Sequence, residues 1–185
     1  MLFPEYSRSV LTELAAVMSR VSSREIVDLA NAICSARRIV VIGVGREGLA
    51  ARGLTMRLAH IGLDSHWIWD DTTPALGADD LLIAVSGSGE IGHIDYVIAR
   101  AQEIGASIAV VTSNPEGRSA KRATHVLTIP AAAFLSTGDM VESIQPMGSL
   151  FEQSVWIAFD CLILDLEQRK DLDHEDLVGR HRNLE

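Results

Sequence analysis

The sequence predicts an α/β fold: a three-layer sandwich in which a five-stranded parallel sheet carries helices on both faces. Three features support this. Short apolar runs of the kind that form doubly buried strands recur along the chain, the clearest being Leu81–Val85. Segments with apolar residues at helical spacing alternate with them, the pattern of a parallel sheet with helical crossovers. The 185 residues suffice for one domain with a proper core, and 48% of them are hydrophobic with no low-complexity tract.

Taken in order, two helices come first, over 9–18 and 22–34. Leu11, Leu14, Ala15 and Met18 form one apolar stripe; Ile26, Leu29, Ala30 and Ile33 form another. Ser22 with Glu25 reads as a capping box. This pair precedes the first strand, so it is expected outside the sheet or against another subunit. Strand 38–42 is followed by helix 49–61, stopped by Gly62, and by strand 65–69. Strand 81–85 leads into a helix that runs to Ile104 and stops at Gly105. Strand 107–112, a turn at Asn114-Pro115, a short helix and strand 125–129 complete the sheet.

Residues 131–145 read as a loop. The helix expected over 146–169 is apolar nearly all round, through Phe151, Val155, Trp156, Ile157, Phe159, Leu162, Ile163 and Leu166. One sheet covers only one side of such a helix, so a subunit interface is expected on another. A short helix over 173–182 opens with Asp173 near its N-cap. No linker or repeat divides the chain. It reads as a single domain over 1–185, with N-terminal helices in 1–36, the sheet core in 37–130 and C-terminal helices in 146–185.

Ser86-Gly87-Ser88-Gly89-Glu90 stands where the third strand hands over to a helix. Glycine lets the backbone approach a ligand closely, and the first helical N–H groups lack partners at the positive end of the macrodipole. Together these make an anion site suited to phosphate. A tight turn with a serine cap would explain one serine and one glycine, but not the second pair. Gly43-Val44-Gly45-Arg46-Glu47-Gly48 also follows a strand and matches a dinucleotide-binding pattern, with Asp70 placed as a ribose-binding acid. A nicotinamide cofactor is set aside because little chain remains for a catalytic domain and the serine-glycine loop would stay unexplained. No cofactor or metal is expected: His60, His66, His93 and His125 show no ligand spacing, and only His93 lies close enough to the phosphate loop to touch a ligand.

The formal net charge of -9 argues against nucleic acid as the main partner. The N-terminus lacks a charged-then-apolar leader, and Asp160 and Asp165 interrupt the greasiest stretch, so neither secretion nor a membrane span is expected. Cys34 and Cys161 read as two buried reduced thiols in a cytoplasmic protein.

With both loops in view, the chain resembles the sugar isomerase (SIS) family, whose members are flavodoxin-like α/β domains that hold phosphosugars on a serine-glycine loop. The resembling segments include Gly43-Val44-Gly45-Arg46, Met56-Arg57-Leu58-Ala59-His60, Thr72-Thr73-Pro74-Ala75, Asp80 to Glu90 and Thr112-Ser113-Asn114-Pro115. Pro146-Met147-Gly148 with Phe151-Glu152, and the tail Arg180-His181-Arg182-Asn183-Leu184-Glu185, are similar to the 6-phospho-3-hexuloisomerase subgroup. The resemblance implies interconversion of 3-hexulose 6-phosphate and fructose 6-phosphate. It also implies a tetramer, and a place downstream of a synthase that condenses formaldehyde with ribulose 5-phosphate. Where the family usually has serine after the arginine of the first loop, this chain has Glu47. Ile91 and Asp71 likewise stand where hydroxyl residues are usual. A carboxylate beside a phosphate repels it unless it points away or pairs with Arg46.

Moving a carbonyl to the next carbon needs one group that takes a proton and returns it through an enediol(ate). Glu152 is the candidate base, partly desolvated beside Phe151 and Val155; otherwise it is a first-turn glutamate favourable to the helix dipole. His181 is the candidate proton shuttle between substrate oxygens, reaching a neighbouring subunit's pocket, or else a solvated residue of a basic tail. Arg46 would steady the enediolate or the phosphate, with Gly45 beside it, or simply cap the loop. Thr72 and Thr73 lie at the carboxyl edge of the sheet and would contact substrate hydroxyls or form the turn before Pro74. Ser86, Gly87, Ser88, Gly89 and Glu90 make the phosphate loop. Two other readings stay open: the same fold acting on another phosphosugar, and a non-catalytic sensor of a sugar phosphate. The sensor reading is disfavoured by the absence of a basic helix-turn-helix candidate.

Overall fold

A computed structural model describes residues 2–134, 138–181 and 183. Helices α1 (Phe3–Met18) and α2 (Ser23–Ser35) precede β1 (Ile39–Ile42), α3 (Gly45–His60), β2 (Ser65–Trp67), β3 (Leu81–Val85), α4 (Gly92–Ile104), β4 (Ser107–Thr112), α5 (Arg118–Lys121) and β5 (His125–Thr128). Then come α6 (Ser149–Arg169) and α7 (His174–Arg180). The five strands form one sheet in the order β2-β1-β3-β4-β5, every pair parallel.

The strands point alternate residues to opposite faces. Ile39, Val41, Leu81, Ile83, Val85, Ala109, Val111 and Leu127 pack with α2, α3 and α6 on one face. Val40, Ile42, Leu82, Ala84, Ile108 and Val110 pack with α4 on the other. Both faces are therefore apolar, which is why β3 and most of β4 read as unbroken hydrophobic runs. The chain leaves β1 toward one face through α3 and leaves β3 toward the other through α4. The strand order thus reverses between β1 and β3, and a crevice opens there at the carboxyl edge.

Several expectations are corrected. Helix α3 begins at Gly45 rather than at residue 49. The two flanking glycines of the first loop let strand and helix touch: a Cβ on Gly43 would lie 2.9 Å from the Gly48 Cα, and one on Gly48 would lie 2.8 Å from the Gly43 carbonyl oxygen. The glycine pattern here serves helix-on-strand packing. Helix α1 starts six residues before the expected 9, with a proline in its first turn, where a missing N–H is harmless.

Ser22 caps α2 by accepting the Glu25 N–H at 3.3 Å, but the Glu25 carboxylate turns away to accept the Thr128 N–H of β5 at 2.6 Å. The capping box is therefore only half made, and α2 is pinned to the sheet edge instead. Cys34 and Cys161 are both exposed rather than buried, because their helices turn those positions away from the core. Helix α6 packs against α1, α2 and α3 within the chain, so more of its apolar surface is covered than the sequence suggests. Trp156, Ile157 and Leu164 remain exposed, close to Met56 and Leu49 of α3 in type and exposure. No helix among the described residues is long and apolar enough to cross a membrane.

Candidate active site

The crevice between the β1 and β3 loops is a cavity of about 770 Å³. Gly45, Arg46 and Glu47 from the start of α3, Gly87, Ser88 and Glu90 from the loop after β3, and Phe151 and Glu152 from α6 all line it. Sequence positions more than a hundred residues apart meet here because three elements end at one edge of the sheet.

The loop after β3 is held from behind. The Gly87 carbonyl accepts the Ser113 N–H (3.0 Å), the Ser113 hydroxyl (2.8 Å) and the Thr112 hydroxyl (3.1 Å). The Asn114 side-chain amide donates to the Ser88 carbonyl at 3.1 Å. Gly89 takes a left-handed φ of 68°, and its carbonyl accepts the Ser119 N–H at 3.1 Å. These bonds fix the carbonyls toward the β4 side, and within the loop the Gly89 N–H donates to the Ser86 carbonyl at 3.0 Å. Ser86 is fully buried; its hydroxyl has no hydrogen-bond partner and lies behind the cavity wall, so of the two serines Ser88 faces the crevice. The Ser88 hydroxyl accepts the Glu90 N–H at 3.2 Å. Glu90 itself accepts the Arg118 N–H at 2.9 Å and pairs with the Arg118 guanidinium, which holds its carboxyl below the usual range.

Glu152 stands one turn into α6 and forms an ion pair with Arg46. The Arg46 guanidinium is largely exposed while the Glu152 carboxylate keeps 17% of its surface. A carboxylate, a cation paired with it and the serine-glycine loop thus share one cavity, where the carboxylate can serve proton abstraction beside a carbonyl.

Glu47, which the sequence marks only as a departure, is the residue whose role sequence reasoning missed. It neither points away nor pairs with Arg46. Its Oε2 accepts the Gly87 N–H at 2.8 Å, and its Oε1 is buried with no partner. Burial pushes its pKa up to about 7, with the Glu152 charge adding to the rise and the Gly87 bond opposing it. The only signal in the sequence was an acid in place of a small hydroxyl residue.

Thr72 and Thr73 are not brought to this cavity. Thr72 is exposed, and the Thr73 hydroxyl donates to the Trp67 carbonyl at 2.6 Å, closing the turn after β2. His93 faces Trp69, with ring centroids 5.0 Å apart, in a separate hollow beside β2. His181 is not brought to Glu152 within the chain. It lines another cavity, of about 790 Å³, between α3, α6 and α7, with its ring 5.1 Å from that of His60. Burial, Arg57 and His181 together hold the His60 imidazole below its ordinary pKa. Arg182, Leu184 and Glu185 of the tail motif lie outside the described residues. Among the described residues no group of three or more His, Cys, Asp or Glu could hold a metal ion.

Residues 32–156 match the model of the SIS domain. The chain is similar to the 3-hexulose-6-phosphate isomerase of Bacillus subtilis, 37% identical over 181 residues, which covers 98% of each chain. It is also 38% identical over 176 residues to the 3-hexulose-6-phosphate isomerase of Mycobacterium gastri, covering 95% of this chain and 88% of that one. Among solved structures, a protein of Methanococcus jannaschii with an inferred 3-hexulose-6-phosphate isomerase function superposes with a TM-score of 0.86. Its identity is 28%, over 98% of this chain and 99% of that one.

Proposed function

The chain belongs to the SIS domain family, and on that footing we propose that it is a phosphosugar isomerase interconverting 3-hexulose 6-phosphate and fructose 6-phosphate. The observation that carries this reading is the meeting of Glu152, its Arg46 partner and the serine-glycine loop in one cavity. The Gly87 and Ser88 amides and the Ser88 hydroxyl would take the phosphate, with the positive end of α4 behind them. That leaves the sugar carbons extending toward α6. In the 3-hexulose, Glu152 would take the proton from C2, giving a 2,3-enediol(ate), and return it to C3. Arg46 carries positive charge beside the oxygens on which negative charge develops. No redox step is involved, because the carbonyl moves by one carbon while the compound as a whole keeps its oxidation state.

His181 is the residue we assign to moving the proton between the C2 and C3 oxygens, from a neighbouring subunit, since its own chain's Glu152 lies in another cavity. The exposed apolar side chains of α3 and α6, Met56, Trp156, Ile157 and Leu164, support an assembly through that face, and we read it as a tetramer. We further infer one SIS domain over 1–185, acting in the cytoplasm after a synthase that joins formaldehyde to ribulose 5-phosphate.

The test is a coupled assay. Hexulose phosphate is supplied, and fructose 6-phosphate is followed through an auxiliary phosphoglucose isomerase and glucose-6-phosphate dehydrogenase. The wild-type protein is expected to turn over, and Glu152→Gln to lose at least about a hundredfold in kcat, as loss of a general base does. Full turnover by Glu152→Gln removes Glu152 from the mechanism. Binding of phosphosugars without turnover by the wild-type protein would favour the sensor reading.

A further inference from the structure

Glu47 sits in the first turn of α3, where the helix dipole favours a carboxylate, yet its surroundings do not. Its Oε2 lies 2.8 Å from the Gly87 nitrogen, so a carboxylate oxygen occupies the place that the first phosphate oxygen would take on that amide. Its other oxygen is buried without a partner. The charged groups around it give no relief. Arg46, its neighbour on α3, is engaged by Glu152 of α6, and Glu90 of the loop is engaged by Arg118. The described cavity wall from the segment before α6 is Ala133, Phe134, Met147 and Gly148, which carry no charge. Of the three carboxylates that line the cavity, Glu152 and Glu90 therefore each hold an arginine, and Glu47 is left without one among the described residues.

We propose that Glu47 is a built-in anion that competes with the phosphate group for the serine-glycine loop, so that the phosphosugar binds together with one proton taken up by Glu47. This rests on the reading of residues 86–90 as the phosphate site. A phosphate brought to the Gly87 N–H beside an ionised, largely buried Glu47 meets a like charge within van der Waals contact. A protonated Glu47 removes the repulsion and can donate a hydrogen bond to the phosphate, which answers its unpaired oxygen. Its raised pKa, about 7 in the free protein, puts that choice in the neutral range, and a neighbouring dianion raises it further.

By linkage, affinity for a dianion is then flat below neutrality and falls above about pH 7, by about fivefold over the first pH unit and approaching tenfold per unit beyond it. A phosphate monoester is already largely dianionic there, its second pKa being about 6, so the ligand does not supply this slope. A hydroxyl residue at this position has no such dependence. Glu47 thus sets the pH range over which phosphosugars are accepted.

The experiment is isothermal titration calorimetry with fructose 6-phosphate and, separately, with sulfate, a dianion that does not titrate. Each is run from pH 6 to pH 8 in two buffers of different ionisation enthalpy. The wild-type protein should take up close to one proton per ligand at pH 8 and lose about fivefold in affinity between pH 7 and 8. In Glu47→Gln and Glu47→Ser both effects should vanish. In the wild-type protein labelled at glutamate carboxyl carbons, the Glu47 signal should titrate at higher pH when fructose 6-phosphate is bound, a readout that needs no variant.

An equal slope in the two variants, no proton uptake in the wild-type protein, or no ligand-induced rise at Glu47 overturns the proposal. Turnover of the phosphosugar without proton coupling would end the role of Glu47 and leave the isomerase standing. Proton-coupled sulfate binding without fructose 6-phosphate binding at pH 6 would do the reverse. Binding of neither ligand at pH 6 ends both.

Discussion

At the scale of single residues, Glu47 has a consequence for stability that is independent of any ligand. Its carboxyl loses its proton near 4.5 in an unfolded chain and near 7 in the folded one. Between those values the folded state holds a proton that the unfolded state has released, so stability falls as pH rises through that window and levels off above it. The difference corresponds to about 3 kcal/mol. Glu47→Gln should therefore melt at a higher temperature than the wild-type protein at pH 8, with the gap closing as the pH is lowered to 4.5. A gap that stays constant across that range would mean that Glu47 is not buried in ionised form at all. Identity at this position was legible in the sequence; orientation was not. Whether an acid beside Arg46 points to solvent or to Gly87 depends on a loop 40 residues further along and on which carboxylate wins the arginine. Ser86 shows the same limit, since a strand-end serine can turn its hydroxyl inward, as here, or toward the ligand.

At the scale of elements, what was legible is what local pattern controls. β3 and β4 matched their expected bounds because both faces of the sheet are covered and the apolar run ends where cover ends. The described residues of the 131–145 loop, 131–134 and 138–145, were not legible because distant groups shape them. The Glu13 carboxylate of α1 accepts the Ser143 hydroxyl and the Ile144 N–H at 2.6 and 2.9 Å, and Ala131 bridges to Val141. No periodicity within the segment encodes those bonds. The loop after β3 is the element on which binding depends, and Gly89 is where its backbone turns left-handed. There φ is 68°, and a Cβ would lie 3.3 Å from both the Gly117 Cα and the Asn114 carbonyl oxygen. Gly89→Ala should cost about 1–2 kcal/mol for the left-handed backbone alone. It should also raise KM for the phosphosugar by displacing the amides. Thermal melting measures the first effect and steady-state kinetics the second; a variant unchanged in both would show that the loop tolerates another geometry.

For the whole molecule, the parallel sheet followed from the alternation of strands and helices, and the reversal between β1 and β3 placed the cavity. The distribution of catalytic groups between chains is not a property of one chain's pattern. Glu152 and His181 line different cavities, yet the proposed chemistry needs both at one substrate. Mixing Glu152→Gln with His181→Ala, each inactive alone, should restore activity in hybrid assemblies, because some sites then receive an intact Glu152 from one subunit and an intact His181 from another. Mixing under conditions that exchange subunits, followed by the coupled assay, reads this directly. No recovery, with hybrids confirmed by mass, would place His181 outside the reaction or within its own chain's site.

The central claim is that phosphate on the serine-glycine loop brings the sugar carbons to Glu152. A crystal structure of the Glu152→Gln variant with fructose 6-phosphate tests it most directly. The account predicts the phosphate on the serine-glycine loop at Gly87 and Ser88, with the side chain at position 152 within roughly 3–3.5 Å of C2 or C3. A phosphate bound elsewhere, or a sugar chain directed away from α6, would contradict it.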